Sequence, residues 1–166
     1  MAARSLFAQS GYDGISLRDI ATKADCNVAL VSRYFGSKDE LFREAVSEGF
    51  NLSDIASSHR QDFGQNMARY ILSKRQRGAL EPLQALLRST SNPSATALMQ
   101  NILETEFITP LAIWLGGDNT KLRAATIAAI LIGVATTRDI LESPSLTKPS
   151  VEKNVEVLAP LLQALV

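Results

Sequence analysis

Residues 15–42 constrain this chain more than any other stretch. They read as two short helices joined by a tight turn, then a third helix leading out, the layout of a helix-turn-helix whose second helix enters a major groove. Ser16 stands before an apolar-periodic run with Asp19 three residues on, the spacing of a capping box with Asp in place of Glu. The first helix is expected from about Leu17 to Ala24, because Leu17, Ile20, Ala21 and Ala24 share one face at i, i+3, i+4, i+7. Asp25, Cys26 and Asn27 form the turn, since Asp and Asn tolerate left-handed backbone. Cys26 is expected to plug the space between the helices, and Asn27 to cap the next one.

That next helix is expected from about Val28 to Phe35, with Val31 and Phe35 facing inward beside Cys26. Asn27, Val28, Ala29, Leu30, Ser32, Arg33 and Tyr34 are left for the outer surface. Val, Ala and Leu are out of place on a solvated face and suit thymine methyls and base edges. Gly36 ends the helix as a C-cap glycine does. Ser37 opens another, Glu40 is placed to complete a second capping box, and Lys38 suits a backbone phosphate. Ser16, Arg18, Arg33 and Lys38 join that outer surface as candidate DNA contacts.

Electrostatics alone argues weakly for a polyanionic partner. The 166 residues carry 17 Lys and Arg against 17 Asp and Glu. Within residues 1–50 the balance is six basic to seven acidic, with the acids gathered mostly at helix starts. One cysteine excludes an intrachain disulfide and fits a reducing cytoplasm. No signal peptide is visible. The longest uncharged apolar run, Ala124 to Thr137, is too short to span a bilayer and reads as a buried helix, so no membrane partner is expected.

Beyond the motif every segment reads as helix, so the fold class is all-α. The helix opened at Ser37 is expected to reach about Ser57, and a second to run from about Gln61 to Gln76. A third starts near Pro82 and ends near Ser89. After a turn at residues 91–94, a long helix reaches about Leu115, with a kink expected near Pro110. Gly116 and Gly117 stop it. Asp118 is expected to cap a helix reaching Glu142, residues 143–149 form a loop, and Ser150 caps a last helix bent at Pro160. Its Val155, Leu158, Leu161, Leu162 and Leu165 form a stripe. Ala124, Ala125, Ala128, Ala129, Gly133 and Ala135 permit close helix approach, either within one subunit or in a four-helix seam between two copies.

Enzymatic chemistry finds little support in the residues. His59 and Cys26 are the only histidine and cysteine and lie far apart, which speaks against a metal cluster or a Cys/His dyad. There is no Gly-rich phosphate loop, and Glu104 and Glu106 cannot share a helix face. The run Lys74-Arg75-Gln76-Arg77 reads as a solvated helix end. No cofactor is expected. An all-helical enzyme or a protein-interaction module with an incidental helix-turn-helix is the alternative reading.

The segments Leu6-Phe7-Ala8-Gln9-Ser10-Gly11-Tyr12, Ile20-Ala21 and Tyr34-Phe35-Gly36-Ser37-Lys38-Asp39-Glu40-Leu41-Phe42 together resemble the signature of TetR-family transcriptional regulators. The resemblance covers about the first fifty residues. Asp25 replaces the usual turn glycine and Ser32 the usual mid-helix tyrosine, and the family pattern carries another turn or more of first helix before Ala2. Leu122-Arg123-Ala124 and Leu131-Ile132-Gly133-Val134-Ala135 resemble, more loosely, a regulatory domain of actinobacterial members. The resemblance implies a helix-turn-helix domain over residues 1–42 and a helical-bundle ligand-binding and dimerisation domain over 43–166. It further implies a cytoplasmic homodimer joined through the last two long helices, binding an inverted-repeat operator in double-stranded DNA. It also implies a repressor released by a small molecule, with an apolar or aromatic effector the default. The large residues placed to line such a pocket are Phe63, Met67, Tyr70, Met99, Leu103, Phe107 and Trp114, which would equally serve as ordinary core.

Overall fold

The computed structural model describes residues 2–47, 59–73, 81–90 and 92–166. Among the described residues the regular structure is helical throughout, with no strand. The elements are α1 (Ala2–Ser10), α2 (Leu17–Lys23), α3 (Val28–Phe35), α4 (Lys38–Ser47), α5 (Phe63–Ser73), α6 (Glu81–Ser89), α7 (Pro93–Leu103), α8 (Thr109–Leu115), α9 (Thr120–Ala135), α10 (Pro144–Thr147) and α11 (Val151–Gln163). The expected extension of α4 to Ser57, the end of the helix reaching Gln76, the basic run at 74–77 and Ser91 lie outside the described residues.

The chain forms two compact units: residues 1–50 with 80–103, and residues 51–79 with 104–166. This division differs from the expected boundary at 42/43, because α6 and α7 close the core of the helix-turn-helix unit. In that core Phe7, Ile15, Ile20, Ala21, Val31, Leu41 and Phe42 pack with Ala85, Met99 and Ile102. Helices α1–α4 bring their apolar faces to one core, and Ala85 of α6 with Met99 and Ile102 of α7 complete it. Phe42 is fully buried and makes edge-on contacts to Phe7 at 4.8 Å and Tyr12 at 5.2 Å.

In the second unit α11 lies along α5. Phe63, Met67, Ala68, Ile71 and Leu72 of α5 and Val155, Leu158 and Leu162 of α11 are buried. The approach requires Gly64: a Cβ there would stand 2.2 Å from the Ala159 carbonyl oxygen. Gln163 Oε1 accepts from Gly64 N at 2.9 Å, and Gln163 Nε2 donates to Arg60 O at 3.0 Å. Two arginines satisfy helix-end carbonyls. Arg60 donates to Trp114 O and Leu115 O at the end of α8. Arg123 donates to Gly116 O, Asp118 O and Leu165 O. Asp139 is buried, pairs with Arg138 at 3.1 Å, and Arg138 also caps Leu72 O at 2.9 Å.

Several local expectations are corrected. Pro110 lacks the N–H that the Glu106 carbonyl needs, and its ring crowds that carbonyl. The expected kink is accordingly a wide π turn over Glu104–Ile108. Asn119, at φ 53, precedes α9 in place of the expected Asp118 cap and makes no side-chain cap bond. Helix α9 ends at Ala135 and passes into a second π turn, Thr136–Ile140. Pro144 starts a short helix inside the expected loop. Leu161 is 56% exposed and does not join the buried stripe. Ser150 does cap α11, accepting from Lys153 N at 3.3 Å.

Candidate nucleic-acid interface

The interface begins at the α2 N-terminus. Ser16 Oγ accepts from Asp19 N at 3.2 Å, and Asp19 Oδ2 accepts from Ser16 N at 2.7 Å, closing the capping box. The Ser16 hydroxyl also donates to Asp19 Oδ2 at 2.6 Å, and this bond first, then that from Ser16 N, holds the Asp19 carboxyl below its usual range. Arg18 projects from this turn into solvent. The α2–α3 turn follows, with Asp25 in the left-handed region at φ 51, the conformation its glycine counterpart adopts freely. Asn27 Oδ1 accepts from Ala29 N at 2.8 Å, so its side chain caps α3.

Helix α3 spans Val28 to Phe35. Val31 is buried, and Val28 and Phe35 are half-buried against the same core. Two expectations change here. Cys26 is exposed and does not plug the helices. Its backbone N–H donates to Ala21 O at 3.0 Å while the side chain faces outward, because helical spacing does not carry through a left-handed turn. Val28 turns inward, since 28, 31 and 35 fall at i, i+3, i+7 on one face.

The outward face of α3 therefore consists of Asn27, Ala29, Leu30, Ser32, Arg33 and Tyr34, all exposed. Leu30 is 55% exposed and Tyr34 87%. Among the described residues, neither Arg18 nor Arg33 has an acidic partner. Several acids nearby are engaged locally: Asp13 with Asn92, Asp19 with Ser16, Asp39 with Tyr12, and Glu40 with Arg43 at 4.0 Å. Gly36, at φ 74, ends α3. Ser37 Oγ then accepts from Glu40 N at 3.1 Å, one half of the expected second box, while the Glu40 carboxylate turns to Arg43. Lys38 is half-buried, its Nζ over the Tyr12 ring at 4.2 Å. Tyr12 thus joins α1 to the start of α4, a role that reading the residues one helix at a time missed.

The expected pocket residues divide. Phe63, Met67 and Phe107 are buried in the second unit, Trp114 stacks on Phe63 at 5.1 Å, and Tyr70 is half-buried there. Met99 is instead part of the first unit's core, and Leu103 ends α7 in that unit. The face of α9 also divides. Ala124, Ala128 and Ala135 are buried within the chain, while Leu122, Ala129 and Gly133 are exposed. Thr120–Ile140 is, by length and composition, long and apolar enough to cross a bilayer, at 21 residues and mean hydropathy 1.3. This corrects the expectation of a run too short to span and buried: Ala124, Ile127, Ala128 and Leu131 are buried within the chain, but only 28% of its apolar 18-residue stretch is.

Residues 1–45 match the family model for bacterial regulatory proteins of the tetR family, and residues 61–166 match that for the tetracyclin repressor-like C-terminal domain. A probable HTH-type transcriptional regulator, YttP of Bacillus subtilis (strain 168), is 49% identical over 47 residues. That stretch is 28% of this chain and 23% of the relative's length. A TetR-family regulator from Streptomyces coelicolor A3 superposes with a TM-score of 0.63 at 25% identity, covering 99% of this chain and 89% of that one. The regulator FadR of Bacillus subtilis, solved in complex with stearoyl-CoA, shares the fold with a TM-score of 0.71 at 17% identity, covering 99% and 96% of the two chains. With both halves matched by its models, the chain belongs to the TetR family of transcriptional regulators.

Proposed function

We propose that this chain acts in the cytoplasm as a homodimeric repressor, reading an inverted-repeat operator with α3 and leaving it when a small apolar or aromatic compound binds the second unit. TetR-family regulators are transcription factors, not enzymes, with a DNA-binding helix-turn-helix and a ligand-binding helical domain. The finer reading rests on one observation. The outward face of α3 combines exposed Leu30 and Tyr34 with Arg33, which has no ion-pair partner among the described residues. Solvating apolar groups beside a lone cation brings no stability, whereas base edges, methyls and phosphates use both.

The dimer reading draws on Leu122, Val157 and Leu161, 68%, 70% and 56% exposed, with Ala129 and Gly133 open to close approach. An added Cβ at Gly133 would meet nothing within 4 Å inside the chain. The effector reading draws on Phe63, Met67, Tyr70, Phe107 and Trp114. FadR holds stearoyl-CoA in this fold, so long acyl chains are the first compounds to try. A gel shift with DNA from upstream of the chain's own gene tests the core of the proposal. A salt-sensitive complex, weakened by an added apolar compound, supports it. No preference over unrelated duplex at moderate salt would favour the protein-interaction alternative.

A further inference from the structure

Ser89, at the end of α6, is 2% exposed, and its hydroxyl has two partners. It donates to Ala85 O at 2.6 Å and accepts from Tyr12 N at 2.9 Å. The chain at Gly11 presses on the same helix end: with φ at +70, an added Cβ would stand 2.9 Å from Arg88 O. Three residues beyond Ser89, Asn92 makes a second link. Its Nδ2 donates to Asp13 Oδ2 at 2.5 Å, while its Oδ1 accepts from Ala95 N at 2.9 Å and caps α7. Two side chains of the α6–α7 corner therefore grip two consecutive residues of the α1–α2 corner, Tyr12 and Asp13, while the Arg88 backbone lies against Gly11.

Tyr12 carries that grip onward. Its ring meets Phe42 edge-on at 5.2 Å and lies under Lys38 Nζ at 4.2 Å, and its hydroxyl donates to Asp39. Lys38 and Asp39 are the first residues of α4, two and three positions past the glycine that ends α3. All of these groups belong to one compact unit.

We infer that Ser89 and Asn92 are positioning residues for DNA recognition: by holding Tyr12 N and the adjoining Asp13 carboxylate they set the Tyr12 side chain, and through it the α4 start with Lys38, relative to α3. Neither lies on the α3 face. The inference rests on the DNA-binding reading for its effect on affinity but not for the positioning itself. Asn92→Asp is the informative variant. A carboxylate keeps the α7 cap but cannot donate to Asp13, and like charges then oppose each other. Adding Asp13→Asn restores a donor and an acceptor in reversed order.

The experiment uses the full chain and the duplex that the parent enriches from a randomised library. Ser89→Ala and Asn92→Asp are expected to weaken binding about tenfold and to speed amide exchange at residues 40–42, measured without DNA. The Asn92→Asp/Asp13→Asn pair is expected to restore both, which ties the loss to the Asn92–Asp13 link, and exchange in α5 and α11 is expected to stay unchanged in every variant, which a general loss of stability would not allow. Unchanged affinity and exchange in both single variants, or no recovery in the pair, would overturn the inference. If the parent enriches no duplex, the DNA-binding reading fails, while exchange at residues 40–42 still decides whether the corner positions α4.

Discussion

Asp25 bears a conformational cost that its glycine counterpart does not. Left-handed backbone costs an L-residue about 1 kcal/mol or more, less for Asp than for a branched side chain. Asp25→Gly is expected to leave stability unchanged or raise it by up to about 1 kcal/mol, and Asp25→Val to lower it by about 1–2 kcal/mol, in urea titrations. Tyr12 gives a pH signature. Burial first, then the hydrogen bond and charge of Asp39, push its phenol from 10.0 up to about 12. The unfolded chain releases that proton earlier, so the contribution is complete below pH 10 and lost as pH rises through the folded value. The fall in urea midpoint from about pH 9 to about pH 11 is expected to be smaller in Tyr12→Phe than in the parent. The Ser16–Asp19 box was legible in the sequence because capping is local. The directions of Cys26 and Val28 were not: a left-handed turn resets the phase of the side chains, and sequence spacing does not register that reset.

Among the elements, α3 was readable end to end, with Asn27 before it and Gly36 after it as strong boundary signals. The π turns were harder, since Pro110 marks a disturbance without saying whether the helix bends, breaks or widens. The tight pairing of α5 with α11 joins residues about a hundred apart, and only Gly64 hints at it. Gly64→Ala is expected to force those helices apart and cost about 2–3 kcal/mol, read by thermal or urea unfolding. A cost below about half a kcal/mol would mean that the approach is looser than described.

At the scale of the molecule, the helix-turn-helix followed from a dense local motif and the all-α class from the helical pattern of the segments beyond it. The membership of the two units did not. Met99 looks like any large core residue, and only the tertiary arrangement assigns it to the helix-turn-helix unit. The exposed face with Leu122, Val157 and Leu161 leads us to expect a stable dimer at micromolar concentration by light scattering. Val157→Glu with Leu161→Glu is expected to shift it towards monomer and to weaken operator binding, since two half-sites would no longer be engaged together.

The role of α3 is tested most directly by comparing base-by-base binding profiles of the parent and Arg33→Ala on the duplex enriched from a randomised library. With Arg33 reading a base, the variant is expected to lose about 1–3 kcal/mol and to relax preference at one position in each half-site, while Lys38→Ala weakens all sequences alike and flattens the salt dependence. An Arg33→Ala profile identical to the parent's, in affinity and at every position, would contradict the assignment of this face to DNA.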